Sequence, residues 1–225
     1  MDHTAAVKQQ ARQERFGYVC RRCLRCCHHK KIQLNPYEVA RLARNRGQTT
    51  TQFRSRHTVE GAGMMLKQTK SGACEFLGAK GCTVHPDRPL VCRLYPLGRH
   101  VMVGGEERFS QMQPHPLSEG EFTDTGTIAD FLEEQEAEPF MQAADAYLEW
   151  FDAALSVLTD ELDTSLHSIM TATAKGDDSV LDMDAAIADH CAATGTVEPA
   201  DLDGRTALHL QILYDRLSPH RRRTT

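Results

Sequence analysis

The chain has 225 residues, of which 25% are charged and 40% hydrophobic, and its formal net charge is −5. This length allows one domain with an appendage or two small domains. No stretch approaches the roughly 18 apolar residues of a membrane-spanning helix, and the N-terminus lacks the apolar segment of a secretory signal. The sequence therefore predicts a soluble, cytoplasmic protein with no membrane partner.

Positive and negative charges are distributed unevenly along the chain. Residues 8–100 are rich in Arg and Lys, whereas residues 119–203 are dominated by Asp and Glu. Cations near thiolates have a local purpose, because they lower cysteine pKa values. Nucleic acid is a competing explanation, but aromatic residues for base stacking are not interleaved with the basic ones. We therefore expect a protein partner or substrate rather than nucleic acid.

Cysteine spacing is the most informative feature, since seven of the eight cysteines lie within residues 20–92. These are Cys20, Cys23, Cys26, Cys27, Cys74, Cys82 and Cys92. A disulfide framework is typical of small secreted domains, but without export thiols stay reduced, and such spacing then favours metal or redox chemistry. Neighbouring side chains on an extended chain point to opposite faces. On that basis, Cys26 and Cys27 are predicted to serve different metals or different irons of one cluster.

The elements of the N-terminal half follow in chain order. Asn35-Pro36-Tyr37-Glu38 has the residues of a capped helix start, and Gly47 suits the left-handed geometry of its end. A second helix is predicted to start at Thr50 or Thr51, with Phe53 facing inward. Residues 64–68 are compatible with a strand.

Short hairpins are predicted around the second group of cysteines. Residues 71–84 read as a small hairpin with one thiol on each arm. The turn 85–89 leads into a short helix or extended segment that bears Cys92. Residues 101–103 and 108–112 flank a glycine-rich turn and are predicted to form a second hairpin.

The C-terminal half has helical periodicity. Residues 113–126 are predicted to be a linker, and Thr127 to Asp130 open a helix with Ile128, Phe131 and Leu132 inward. A long helix is predicted over 138–158, with core positions that include Phe140, Tyr147, Leu148 and Phe151. Two more helices are expected at about 178–193 and 200–217.

The predicted fold class is α+β, mostly helical. A small cysteine-rich module with short hairpins, residues 1–126, is followed by a helical region, residues 127–225, that packs against it. Cys191 lies in the helical part near Ile187, so a buried free thiol is predicted there.

Several motifs together resemble the CxxCxxCC, or YkgJ-like, family of zinc- or iron-chelating proteins, which includes flagellin lysine N-methylase. The matching pieces are Cys20-x2-Cys23-x2-Cys26-Cys27, residues 32–38, Gly72-Ala73-Cys74-Glu75-Phe76-Leu77, Gly81-Cys82-Thr83-Val84-His85, and Arg88-Pro89-Leu90-Val91-Cys92-Arg93-Leu94-Tyr95-Pro96. The resemblance covers roughly residues 18–99 and implies metal binding. Family members often carry another cysteine after the Cys-Arg-x-x-Pro element, where this chain offers only His100 or His115.

The number of candidate cysteine ligands helps to identify the metal. Seven thiolates exceed the four ligands of one zinc ion, and Cys-x2-Cys-x2-Cys with a distant cysteine near proline is similar to ferredoxin-type iron–sulfur sites. The sequence favours an iron–sulfur cluster, with zinc as the alternative. His85 and His115 are the candidate histidine ligands. Arg88 and Arg93 are predicted to hydrogen-bond the sulfurs or to bind an anionic cofactor, with a loop-pinning ion pair as the alternative.

Three functions remain open at this point. The first is a metal-binding protein that delivers, senses or uses its centre with a protein partner. The second is an enzyme that modifies a protein side chain with S-adenosylmethionine as cofactor, by analogy with the flagellin methylase. The third is a purely structural zinc module. No other catalytic motif is present in the sequence, so whether the protein is an enzyme stays open.

Overall fold

The computed structural model describes residues 9–59, 64–101, 105–162 and 181–221. Its fold is α+β and mostly helical, as predicted from the sequence. The chain forms two compact units: Met1–Lys30 with Gln68–Pro139, and Lys31–Lys67 with Phe140–Thr225. We call these the cysteine-rich unit and the helical unit. That residues 1–126 and 127–225 form separate domains stays a prediction.

The cysteine-rich unit is built from short elements. Its strands are β1 (Arg15–Val19), β2 (Leu77–Gly78), β3 (Gly81–Cys82), β4 (Leu97–Val101), β5 (Glu107–Gln111) and β6 (Glu121–Thr127). They pair antiparallel as β1 with β6, β2 with β3, and β4 with β5. Two α-helices, α3 (Leu90–Leu94) and α4 (Ile128–Glu134), and two 3-10 turns, Arg25–Cys27 and His85–Asp87, complete the unit.

A small apolar core supports this unit. Phe16 of β1 packs edge-on against Phe131 of α4, with ring centroids 5.0 Å apart. Helix α4 begins with a reciprocal capping box between Thr127 and Asp130, which satisfies backbone donors that the first turn leaves free. Ile128 and Leu132 are buried with Phe131. The predicted start of this helix and its three inward residues are therefore confirmed.

The helical unit contains α1 (Pro36–Asn45), α2 (Thr50–His57), α5 (Glu138–Leu162), α6 (Met183–Thr194) and α7 (Leu202–Arg221), of which the first two residues of α5 belong to the other unit. Its fully buried side chains include Leu42, Phe53, Met183, Ile187 and Leu213. Cys191 packs among Ala40, Met183, Ile187 and Ile212, so its prediction as a buried thiol is confirmed. Helix burial of this kind is what the three- and four-residue apolar spacing predicts.

Polar contacts join two helix starts within the helical unit. The Thr50 backbone N–H donates to Asp184 at 2.7 Å, and the Thr50 hydroxyl donates to Asp182 at 2.5 Å. The backbone N–H of Asp184 donates in turn to the Thr50 hydroxyl at 2.9 Å. The two backbone bonds satisfy N-terminal donors of α2 and α6 with partly buried or buried acceptors, so they fix the two helices to each other.

Most predicted elements are present, and three predictions need correction. Residues 121–126 are part of strand β6 rather than a linker, because they pair with β1 over the register Gly17–Thr123 to Val19–Glu121. Residues 64–68 form only isolated bridges, not a strand. Leu148 and Phe151 are 46% and 41% exposed, so they are not core residues. Helical spacing identified the apolar positions of α5, but it cannot tell which of them a neighbour covers.

Within the part of the chain that the structure describes, every helix is too short or too polar to cross a lipid bilayer.

Candidate metal centre

The first four cysteines lie on an irregular loop that follows strand β1. Arg22 and Leu24 take the left-handed backbone conformation, with φ of 53° and 66°, which turns the chain tightly between Cys20 and Cys26. The 3-10 turn Arg25–Cys27 then places two thiols next to each other. Non-glycine residues seldom adopt positive φ, so the surrounding structure determines this loop.

Cys74 is attached directly to this loop by the backbone. Its N–H donates to the carbonyl of Cys27 at 2.8 Å, and the N–H of His29 donates to the carbonyl of Gly72 at 2.7 Å. Gly72 has φ of 78°, and a Cβ there would collide with the His29 ring, so both the turn and the close approach require glycine. Two cysteine groups that are distant in sequence are thus neighbours.

Cys82 and Cys92 come from two further elements. Cys82 ends the hairpin of β2 and β3, where it pairs with Leu77. The predicted hairpin is present, but only Cys82 lies on one of its strands, and Cys74 precedes β2. Cys92 lies on α3, and its N–H donates to the carbonyl of Pro89 at 2.9 Å. The predicted turn at 85–89 and short helix are therefore confirmed.

The seven cysteines share one region. Cys26 acts electrostatically on Cys82 and Cys92, and Cys82 acts on Cys74 and Cys92. Cys74 and Cys92 both act on Cys27. Tyr18 is affected by the charges of Cys20, Cys23 and Cys26 together. Cys191 is buried in the helical unit and is not among these groups. The thiols of four separate segments therefore lie near one another in the cysteine-rich unit.

Cys26 and Cys27 form the tightest pair, with 4.0 Å between their sulfurs. The hydrogen bond from Cys27, with help from Lys30, lowers the pKa of Cys26 to about 6. The same bond, together with burial, raises the pKa of Cys27. The 3-10 turn removes the extended-chain premise for assigning these thiols to different metals, and that assignment itself stays a prediction.

The other thiols differ in how strongly their surroundings favour the proton. Desolvation, followed by the charge of Cys74, raises the pKa of Cys92 to about 12 although part of its surface is exposed. Desolvation also raises the pKa values of Cys74 and Cys82. Cys74 and Cys82 are half-buried, whereas Cys92 keeps an exposed surface.

The donor set fits zinc or iron by its chemistry, because thiolates are preferred ligands of both. Among the described residues, no group of three or more His, Cys, Asp or Glu side chains has the geometry to hold a metal ion as it stands. The cysteine side chains would have to rotate toward a common point for binding. Such rearrangement couples metal binding to the folding of a site.

Residues 114–120, which we call the strap, contact the cysteines from one side. The strap donates from the His115 N–H to the Tyr95 hydroxyl at 3.0 Å and from the Glu119 N–H to the Cys23 sulfur at 3.5 Å. Ser118 shares a hydrogen bond with the Tyr18 hydroxyl at 3.1 Å. Although desolvation opposes it, the Glu119 bond and further hydrogen bonds lower the pKa of Cys23.

His85 and His115 have a common arrangement. The Nδ1 atom of His115 accepts from the Leu117 N–H at 3.1 Å, and Nδ1 of His85 lies 3.3 Å from the guanidinium of Arg88. An accepting Nδ1 leaves the ring proton on Nε2, whereas a metal-bound histidine usually donates its other N–H. The geometry therefore favours the thiols over these imidazoles as ligands, and the two histidine assignments stay predictions.

Arg88 and Arg93 have different surroundings. The Arg93 side chain is 1% exposed, and its guanidinium donates to the carbonyls of Arg88 at 3.1 Å, Gln135 at 2.7 Å, and Pro86. Arg88 donates to the His85 carbonyl and to Gln135, both at 2.8 Å. Arg93 thus pins the backbone behind Cys92, while Arg88 is only half-buried. A cofactor-binding role for either arginine stays a prediction.

Sequence reasoning missed the cysteine-facing roles of Tyr18, Lys30 and Ser118. The Lys30 ammonium lies 3.5 Å from the centroid of the Tyr95 ring and is affected by the charges of Cys26, Cys27 and Cys92. Tyr18 and Lys30 flank the first cysteine motif in sequence, which is a usable signal. Ser118 offers none, because only the fold brings the strap to Cys23.

Comparison with known families supports this site. Residues 19–115 match the CxxCxxCC family, described as "Putative zinc- or iron-chelating domain". No curated protein and no solved structure shows significant similarity to the chain. The matched range contains all seven cysteines that the fold brings together, and Cys191 lies outside it. The similarity to the CxxCxxCC family therefore covers the cysteine-rich segment of this chain, residues 19–115.

Proposed function

We propose that this protein binds an iron–sulfur cluster through its seven clustered cysteines and uses the centre together with a protein partner in the cytoplasm. The observation that carries the proposal is the meeting of four cysteine-bearing segments around one place. Seven thiols exceed the needs of a single tetrahedral zinc ion. A cubane cluster takes four thiolates, one on each iron, and the spacing Cys-x2-Cys-x2-Cys with a distant fourth cysteine near proline resembles the arrangement of such clusters.

The partner-dependent role includes delivering or sensing the metal. Exposed Arg21, Arg22 and Arg25 surround the first cysteine motif and give it a positive surface. A positive surface steers acidic partners toward the site and offsets the charge of a thiolate-bound metal. These features support a role in which the centre is presented to another protein.

Anaerobic expression and purification test the metal assignment. The protein is expected to be brown, to absorb near 400 nm, and to contain iron and acid-labile sulfide. The protein purified in the same way with Cys191→Ser is the matched control and should be equally loaded. Colourless protein with stoichiometric zinc and no sulfide would contradict the iron–sulfur proposal.

One distance favours zinc as the second candidate, in a purely structural module. Two thiolates on one tetrahedral zinc are roughly 3.8 Å apart, given bonds of about 2.3 Å, and the Cys26 and Cys27 sulfurs are 4.0 Å apart. The same metal analysis separates the two candidates. Zinc that is needed for folding but is not exchanged with any partner would support the structural role.

A cluster-dependent enzyme is the third candidate, with S-adenosylmethionine as its cofactor and a protein side chain as its substrate. Arg88, Arg22 and Arg93 all act on His85 electrostatically, so positive charge gathers beside Cys82 and Cys92. This charge suits the carboxylate of an amino-acid cofactor. Equilibrium dialysis with labelled S-adenosylmethionine should then show binding that Arg88→Gln weakens, and absence of binding by the loaded protein would contradict it.

A further inference from the structure

Lys30 differs from the other basic residues near the cysteines in how it is held. Arg21, Arg22 and Arg25 are exposed, whereas Lys30 is half-buried. Its ammonium lies over the face of Tyr95, 3.5 Å from the ring centroid, where cation–π attraction stabilises it. Its carbonyl accepts a hydrogen bond from the Gln68 side chain, which fixes the backbone of the same residue.

The Tyr95 ring, which is the platform below the Lys30 ammonium, is itself held in place. The Tyr95 hydroxyl accepts the hydrogen bond from the backbone of His115 at 3.0 Å, and the ring packs edge-on against Tyr18 at 6.3 Å between centroids. An ammonium held in this way keeps its position when the charge beside it changes. Exposed arginine side chains lack such a platform and are screened by salt.

The charges that act on Lys30 are those of the candidate metal ligands. Burial lowers the pKa of Lys30, while Cys26, Cys92 and Cys27, in that order, act in the opposite direction. The relation is mutual, because Lys30 also lowers the pKa of Cys26 and opposes the rise at Cys92. The Lys30 ammonium thus interacts electrostatically with the first cysteine group, through Cys26 and Cys27, and with the second, through Cys92.

We propose that Lys30, held over Tyr95 beside Cys26, Cys27 and Cys92, is a positioning residue that compensates the negative charge of the thiolate centre and thereby strengthens metal binding. The inference rests on the proposed metal-binding function. A thiolate-bound metal centre carries net negative charge, so a cation held in place beside it by the Tyr95 ring favours the metal-bound state. Its effect is local, so high salt should leave most of it in place.

The first experiment measures zinc affinity by competition with a chromophoric chelator at low and high salt. Lys30→Met removes the charge but keeps a long side chain, and we expect affinity to fall by roughly tenfold, in the range of other residues that support metal ligands. Lys30→Arg should restore most of the affinity. Lys31→Met, at the exposed neighbour, is the control and should stay near wild type.

A second measurement works on metal-free protein. The reduced thiols are treated with a dianionic aromatic disulfide and with a neutral pyridyl disulfide, and the ratio of the two rates is compared among variants. Changes in thiolate fraction affect both rates alike, so the ratio reports the local potential. Lys30→Met should lower this ratio several-fold, whereas Lys31→Met should not, because a nearby fixed cation attracts the anionic reagent.

The two measurements distinguish a failure of the Lys30 proposal from a failure of the proposed metal-binding function. If wild type binds neither zinc nor iron, the proposed function is wrong, and the rate ratio still decides whether Lys30 supplies the local positive potential. If wild type binds metal while Lys30→Met matches it in both affinity and rate ratio, the Lys30 proposal is overturned and metal binding stands. Urea unfolding of each metal-free variant identifies any loss that comes from misfolding.

Discussion

The two units of this protein reach stability by different means. The helical unit buries large side chains such as Phe53, Met183 and Leu213 along whole helix faces. The cysteine-rich unit consists mainly of two-stranded sheets, short helices and turns around a small apolar core, and its seven clustered cysteines are exposed or half-buried. Small cores stabilise a fold only marginally, and bound metal commonly supplies the rest. Side-chain burial organises the helical unit, whereas backbone hydrogen bonds between short loops hold the cysteines of the other unit near one another.

The largest expected effect is the loss of metal on changing one ligand. Cys74→Ser should lose most of the bound metal and destabilise the metal-loaded cysteine-rich unit, because serine removes a candidate thiolate ligand that a backbone bond to Cys27 holds near the first cysteine group. Metal analysis and thermal unfolding are the measurements. Cys191→Ser is the control and should keep its metal; equal losses in both variants would show that Cys191 belongs to the centre.

A core substitution should produce the converse result. Phe53 has 0% exposure in the helical unit, and Phe53→Ala should lower the free energy of unfolding by about 3–5 kcal/mol. Bound metal per folded molecule should be unchanged, since Phe53 is not in the unit that carries the clustered cysteines. Urea unfolding and metal analysis of the same sample test this. Loss of metal in the folded fraction would contradict the contrast between the units.

Sequence patterns predicted the two units unequally well. Helix α1 could be predicted because Asn35, Pro36 and Glu38 form a local cap. The candidate metal ligands could be predicted because cysteine is chemically distinctive. Strand β6 was missed, since its pairing with β1 joins residues about one hundred positions apart. Local composition carries no signal for such contacts. The strap and its hydrogen bond to Cys23 are invisible in the sequence for the same reason.

Substitution of Arg93 tests how much the hydrogen bonds from its buried side chain to backbone carbonyls stabilise the cysteine-rich unit. Arg93→Met should destabilise the protein by about 2–4 kcal/mol, because it leaves buried carbonyl acceptors without their donor. Arg93→Lys should recover little, since an ammonium lacks the planar fork. Arg108→Met, at a 39% exposed side chain, is the matched control and should cost under about 1 kcal/mol. Urea unfolding of metal-free protein is the measurement, and equal effects at both positions would contradict this role.

The smallest expected effect concerns an ion-pair network of the cysteine-rich unit that contains no cysteine. Glu107 accepts from Arg12 and Arg99, each at 2.5 Å. Desolvation raises the pKa of Glu107, but the bonds from the two arginines outweigh it and lower the pKa overall. Because the folded-state pKa lies below the unfolded value of about 4.3, the stabilisation is present above that pH and is lost as the pH falls through the folded-state pKa.

Glu107→Gln should therefore lower the free energy of unfolding by about 1 kcal/mol at pH 7, and the difference from wild type should shrink below about pH 4. Urea unfolding of metal-free protein across this range measures the difference. Glu106→Gln is the matched control, because Glu106 is 60% exposed and pairs with an exposed arginine. A difference at Glu107 that stays constant into acid would show that the carboxylate charge does not cause it, and stability in this unit would then depend on packing and thiols alone.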